Sequence, residues 1–200
     1  MEGLIMYWFS WCAWIVVTFL VPKSMNRYKW SMFILFFIVF YSIDVTVPSG
    51  QLNLGFIWLS VGCYRCFQLQ TKQKLFTWFL SVWLITAVYA GFVLWSIYDP
   101  IILFAEKQWI VAGLIFCVGY LIMKPSFSRI IVVTLGMLHG EVLVHLIFVQ
   151  IWGSYEIGDG IFFDALAATQ GLFCAHLILK IGLEMAKRLT ENSSHASQSL

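Results

Sequence analysis

The sequence predicts an all-α membrane protein, a bundle of seven transmembrane helices with its amino terminus outside the cell and its carboxyl terminus in the cytoplasm. Three observations lead to this prediction. Hydrophobic residues make up 61% of the 200 residues, and charged residues only 11%, whereas soluble domains carry about 25% charged residues. The apolar residues form long runs, and almost all basic residues fall in alternate connections between those runs.

A membrane-spanning helix needs roughly 20 mostly apolar residues, and seven segments meet that requirement approximately. The predicted spans are Leu4–Val21, Trp30–Val47, Leu54–Gln70, Leu75–Ile97, Ile101–Met123, Ile130–Trp152 and Ile161–Leu183. All four prolines fall at span ends, which favours uninterrupted helices. In the fifth span, Glu106 and Lys107 interrupt the apolar run, so its core is expected to begin near Gln108.

The orientation follows from the distribution of lysine and arginine, because loops rich in these residues stay in the cytoplasm. Eleven of the twelve basic residues fall on one side of the predicted topology, and Lys107 falls on the other. The eleven are Lys23, Arg27, Lys29, Arg65, Lys72, Lys74, Lys124, Arg129, Lys180, Lys187 and Arg188. The predicted domain is therefore a membrane bundle over residues 1–186, followed by a polar cytoplasmic tail over 187–200 that we expect to be disordered.

Ionisable groups in the middle of a bilayer cost on the order of 3 kcal/mol each, so those present need a partner or a function. The sixth and seventh spans carry several, and we take five residues as a candidate polar cluster: Glu141, His145, His139, His176 and Gln170. On a helix Glu141 and His145 share one face, while His139 points almost oppositely. Small residues, Gly136 and Gly140 in one span and Ala168, Gly171 and Ala175 in the other, predict that these two helices pack together.

Three functions are compatible with such a cluster. The first is structural, with the polar groups linking helices in a non-enzymatic accessory or interaction protein. The second is a proton- or cation-coupled transporter that uses Glu141 and the histidines as a relay. The third is an intramembrane metal-dependent hydrolase, although the spacing His-x-Glu-x-x-x-His differs from the His-Glu-x-x-His of zinc proteases. We favour the first and assign no catalytic residue, no metal ligand and no cofactor.

The amino-terminal residues add a family resemblance. Met1-Glu2-Gly3-Leu4, the aromatic run from Tyr7 to Trp11, Thr18-Phe19-Leu20 and Lys23, together with length and span count, resemble the YphA-type family of small multi-pass membrane proteins from Gram-positive bacteria. The resemblance implies a plasma-membrane location and assigns no site residues. The expected partner is the lipid bilayer, with a second membrane protein or another copy of the chain as alternatives. We expect no nucleic-acid partner, since no basic patch with interleaved aromatics is present.

Overall fold

The computed structural model describes residues 3–48, 50–68, 72–99, 105–123 and 127–198, with the backbone alone described at 68, 72–74, 127 and 188–198. These residues form seven α-helices and one two-stranded hairpin. The helices are α1 (Leu4–Ile15, continued by a π-helical segment, Val16–Leu20), α2 (Met25–Tyr41), α3 (Leu54–Gln68), α4 (Lys72–Tyr98), α5 (Lys107–Ile122), α6 (Phe127–Trp152) and α7 (Gly160–Gln198). Strands β1 (Asp44–Val47) and β2 (Gly50–Asn53) lie between α2 and α3.

The predicted spans correspond one to one with these helices. Three of them are long and apolar enough to cross a bilayer, over Leu75–Tyr98, Ser128–Trp152 and Gly160–Lys187. Helix α5 begins at Lys107, so the predicted span that began at Ile101 was wrong at Ala105 and Glu106. Residues 101–104 of that span lie outside the described residues. Glu106 precedes that helix with an extended backbone, as the interruption of the apolar run suggested.

The second predicted span, Trp30–Val47, was wrong at its carboxyl end. Helix α2 ends at Tyr41, and Asp44–Val47 is a strand that pairs with Gly50–Asn53 in antiparallel register, with Val47 opposite Gly50. The β-branched residues Val45, Thr46 and Val47 favour strand over helix, and Pro48 then stops the strand. Their apolar character extended the hydrophobic run, which is why the hairpin was read as helix.

The hairpin is fixed against the α6–α7 loop by main-chain contacts. The N–H of Asn53 donates to the Ile157 carbonyl (3.1 Å), and the N–H of Ile157 donates to the Gln51 carbonyl (2.8 Å). Gly50 has φ +139° and lies so close to Tyr155 that a Cβ would clash with the Tyr155 carbonyl, so this position requires glycine. The hairpin, the amino-terminal residues and the α6–α7 loop thereby form one surface, which we call the acidic end because it carries Asp44, Glu156 and Asp159.

The core of the bundle is built on two helix pairs, α4 with α6 and α5 with α7. Ile85, Val93, Val132 and Val144 are completely buried between helices, and Phe163 of α7 is equally buried. Helices α6 and α7 contact each other, as predicted, but the small residues of α6 face α4 and not α7. A Cβ at Gly136 would lie 2.6 Å from Ile85, and one at Gly140 would lie 2.5 Å from Tyr89, so both glycines admit α4 side chains.

Helix α7 differs from its prediction in length. The structure continues the helix to Gln198, over most of the segment for which the sequence predicted a disordered tail. Lys180 and Glu184, one turn apart near the end of the apolar part, form an exposed ion pair at 4.0 Å. The division of the chain into a membrane bundle and a cytoplasmic tail stays a prediction.

Candidate functional site

Glu141 lies near the middle of α6 and is almost completely buried, at 1% exposure. Its Oε2 accepts a hydrogen bond from the Tyr89 hydroxyl of α4 at 2.7 Å. Its Oε1 has no hydrogen-bond partner among the described residues. Gly140 allows the Tyr89 ring to approach α6, because the ring occupies the space that a side chain at position 140 would fill. The carboxyl group therefore links the two helices of the α4–α6 pair.

A small cavity of about 10 Å³ adjoins Glu141 on the side toward the acidic end. Its polar lining includes Tyr89, Lys107, Tyr155 and Asp159 in addition to Glu141. A volume of this size has room for about one water molecule. The unpartnered Oε1 of Glu141 could be satisfied by such a water, which would leave the bundle closed around it.

His145 lies one turn beyond Glu141 on the same face, as predicted, and is also buried. The described residues show no hydrogen bond or ion pair between the two side chains, and the His145 Nδ1 has no partner there. Its ring instead lies 6.1 Å from that of Tyr155 in the α6–α7 loop. The Glu141 carboxyl pairs with Tyr89 of another helix rather than with the histidine of its own.

His139 and His176 lie apart from Glu141. His139 is on the opposite side of α6, as its helical position predicted, and its Nε2 is hydrogen-bonded to the Tyr64 hydroxyl of α3. His176 on α7 packs edge-on against Tyr120 of α5, with ring centroids 5.2 Å apart. Each histidine thus contacts a tyrosine of a neighbouring helix.

Gln170 provides the polar contact between α6 and α7. Its Nε2 donates to the Thr134 hydroxyl at 3.0 Å and, at 3.4 Å, to the Ile130 carbonyl. The five residues proposed from sequence are therefore distributed over separate helix–helix contacts. Among the described residues, no group of three or more His, Cys, Asp or Glu side chains is placed to hold a metal ion.

Asp164 and Asn53 have roles that sequence reasoning did not assign. Asp164 of α7 is 2% exposed, and its two oxygens accept from the N–H groups of Gly3 (2.8 Å) and Met6 (3.0 Å). These are free amides at the start of α1, so Asp164 caps that helix from a distance of 158 residues or more in sequence. The position of Asp164 just inside a predicted span was a signal in the sequence. Its partners could not be predicted, because they lie at the other end of the chain.

Asn53 performs a similar task for α3. Its Oδ1 accepts from the Gly55 N–H (2.8 Å), and its Nδ2 donates to the Tyr41 carbonyl (2.9 Å) and to Asp44 Oδ1 (2.8 Å). Asparagine immediately before a helix is a common cap, so this role could have been predicted from the local sequence. With Tyr41, whose hydroxyl donates to the Gly3 carbonyl at 3.0 Å, it joins the end of α2, the hairpin and the start of α1.

Two larger cavities open at the acidic end. One, of about 270 Å³, is lined by Tyr41, Asp44, Asn53, Glu156 and Asp159 among others. The second, of about 660 Å³, lies between the hairpin turn and the α6–α7 loop. Burial raises the pKa of the Tyr155 hydroxyl, and the carboxyl groups of Glu141, Asp159 and Glu156 raise it further. This end of the molecule thus has a negative electrostatic field.

The structure has seven apolar helices, and buried polar side chains form hydrogen bonds between them. These features are typical of an integral membrane helix bundle. The chain belongs to the family described as YphA-like integral membrane protein, whose model matches residues 2–199, which confirms the resemblance found in the first helix. Among its relatives is "Uncharacterized protein YphA" of Bacillus subtilis (strain 168), 25% identical over 203 residues that cover 98% of this chain and all of the relative. No solved structure matches the chain.

Proposed function

We propose that the protein spans the bacterial plasma membrane seven times, with its amino terminus outside and its carboxyl terminus in the cytoplasm. Support comes from the eleven basic residues that fall on one side of this topology. The hairpin and the α6–α7 loop then face outward together, with Asp44, Glu156 and Asp159 on the outer surface. With an odd number of spans, the basic residues lie on one side of the membrane and the acidic end lies on the other.

The orientation can be tested with single cysteines in a chain whose five native cysteines are replaced by serine. Ser154→Cys, in the α6–α7 loop, should react with a membrane-impermeant maleimide on intact cells. Lys23→Cys, in the first connection, should react only after permeabilisation. The opposite labelling pattern would reverse the topology, and labelling of both sites on intact cells would rule out an odd number of spans between them.

Within this topology, the protein acts as a non-enzymatic accessory or interaction protein, with another membrane protein or a second copy as its partner. The observation that carries this proposal is the closed interior. The cavity beside Glu141 is about 10 Å³, whereas sites for small molecules measure roughly 300–1,000 Å³. Four polar side chains of α6 and α7 each contact a neighbouring helix, those of His139, Glu141, Gln170 and His176.

A proton- or cation-coupled carrier is the second candidate. One specific observation favours it: the cavity at Glu141 has room for about one water and is lined by Lys107 and Asp159 from the acidic end. A buried carboxyl group beside water is the elementary unit of a proton relay. The two candidates differ in whether Glu141 exchanges protons during transport, and that difference is measurable.

Reconstitution into liposomes distinguishes them. The wild type, Glu141→Gln and the matched control Glu184→Gln, an exposed position on α7, are reconstituted at equal density with an interior pH dye, and a pH step or a potential is applied. The accessory proposal predicts the same slow proton leak in all three. A flux present in the wild type and the control but abolished in Glu141→Gln would overturn it in favour of the carrier.

A further inference from the structure

A groove of about 550 Å³ lies between α2 and α3, at the end of the bundle opposite the hairpin. It is lined by one stripe from each helix: Asn26, Lys29, Trp30 and Phe33 of α2, and Trp58, Val61, Gly62, Arg65 and Cys66 of α3. The spacing of three, four and seven residues places each stripe on a single helix face. The groove is therefore formed by two facing helix surfaces.

The floor of the groove is held in place by three contacts. The rings of Phe33 and Trp58 stack with centroids 5.5 Å apart and planes inclined by 22°. The Trp58 indole N–H donates to the Phe33 carbonyl at 3.0 Å. The Phe33 ring also occupies the place that a side chain at Gly62 would take. These contacts fix the positions of the aromatic rings that line the groove.

Positive charge is concentrated at one end of the same groove. Lys29 lies near the start of α2, and Arg65 lies near the end of the antiparallel α3, so the two cations face the groove at the same level. Both side chains are exposed, and neither forms an ion pair with a residue that the structure describes. The charge pattern is complementary to a molecule with an anionic head and an apolar chain.

We propose that this groove binds an anionic glycerophospholipid. The phosphate lies between Lys29 and Arg65, where the guanidinium can form two parallel hydrogen bonds to its oxygens. An acyl chain lies along Trp30, Phe33 and Trp58, so its apolar contact adds to the electrostatic attraction. The site goes beyond the proposed function and does not depend on it, since it requires only that the chain resides in a membrane.

The test is native mass spectrometry of the full chain in detergent, titrated with phosphatidylglycerol or phosphatidylcholine. The wild type should retain one phosphatidylglycerol in preference to phosphatidylcholine. The double variant Lys29→Gln/Arg65→Gln should weaken phosphatidylglycerol binding about 30-fold, as expected for two basic residues at an anionic lipid surface. The matched variant Lys23→Gln/Lys180→Gln removes the same charge from exposed positions outside the groove and should leave binding within about twofold.

A third variant, Val61→Trp, tests the apolar half of the site without changing charge. Val61 is 52% exposed on the groove wall, so an indole there fills the groove without disturbing the core. It should abolish the retained lipid while leaving the melting temperature close to that of the wild type. Equal loss of binding in the groove and control double variants, or unchanged binding in Val61→Trp, would show nonspecific adsorption and overturn the proposal.

Discussion

The acidic end and the interior of the bundle use polar residues in different ways. At the acidic end, Asp164 accepts hydrogen bonds from two amides at the start of α1. Asn53 accepts one from an amide at the start of α3 and donates one to the carbonyl at the end of α2. In the interior, Glu141 and Gln170 each retain a carbonyl or carboxyl oxygen without a partner among the described residues. The acidic end is therefore fixed by hydrogen bonds, whereas the interior depends mainly on apolar packing.

The largest expected effect is at Asp164. Asp164→Ala leaves two buried amides of α1 without acceptors. At about 1.5 kcal/mol for each bond to a carboxylate, the free energy of unfolding should fall by roughly 3 kcal/mol. This corresponds to a decrease in melting temperature of about 6–12 °C, measured by thermal unfolding in detergent. Asp164→Asn keeps one acceptor and should lose about half as much. An unchanged melting temperature for Asp164→Ala would contradict the conclusion that hydrogen bonds stabilise the acidic end more than the interior.

Asn53→Ala should have the next largest effect. It removes the cap of α3 and the bonds to Tyr41 and Asp44, at a cost of roughly 2 kcal/mol. Hydrogen exchange at the Asn53 amide, which bonds to Ile157, should accelerate as the hairpin loosens. The matched control is Gln51→Ala on the same strand, whose exposed side chain should contribute less than about 0.5 kcal/mol. Equal effects of the two variants would argue against a specific role for Asn53.

Alkaline pH should produce the smallest effect, and it should act on the acidic end. Burial and nearby carboxyl groups raise the pKa of Tyr155 in the folded state, so the hydroxyl holds its proton more tightly there than in the unfolded chain. Its stabilising contribution is complete below about pH 10, the ordinary tyrosine value, and is lost as the pH rises above that value. Tyr155→Phe should therefore reduce the loss of stability between about pH 10 and 12. If stability falls equally with pH in the wild type and in Tyr155→Phe, this role of Tyr155 is contradicted.

Sequence reasoning predicted where the helices lie, because the apolar runs that form them are separated by charged residues, prolines and glycines. It missed the hairpin because Val45 and Val47 are apolar and continue the run that α2 begins. It also assigned Gly136 and Gly140 to the contact with α7, since two glycines show that a helix approaches closely but not which helix it is. The structure shows that Tyr89 of α4 is the partner, and a tyrosine far from either end of the predicted fourth span was the only local signal.

The candidate site was predicted in part. Helical geometry placed Glu141 and His145 on one face of α6 and His139 on another, because the angular positions follow from sequence spacing alone. It did not show which of these faces is buried. The contacts of Glu141 with Tyr89, and of His139 with Tyr64, depend on how helices from distant parts of the chain are arranged. That arrangement is set by packing across the whole bundle and cannot be read from one helix.

Glu141 links α4 to α6 through its hydrogen bond with Tyr89, and a double-mutant cycle measures the strength of that link. Thermal stability is measured for wild type, Tyr89→Phe, Glu141→Gln and the double variant. We expect the two substitutions to be coupled by about 0.6–1.7 kcal/mol, from the average to the largest value for hydrogen bonds between membrane helices. Strictly additive effects would show that the Tyr89–Glu141 bond contributes nothing to the fold, and the structural role of Glu141 would be contradicted.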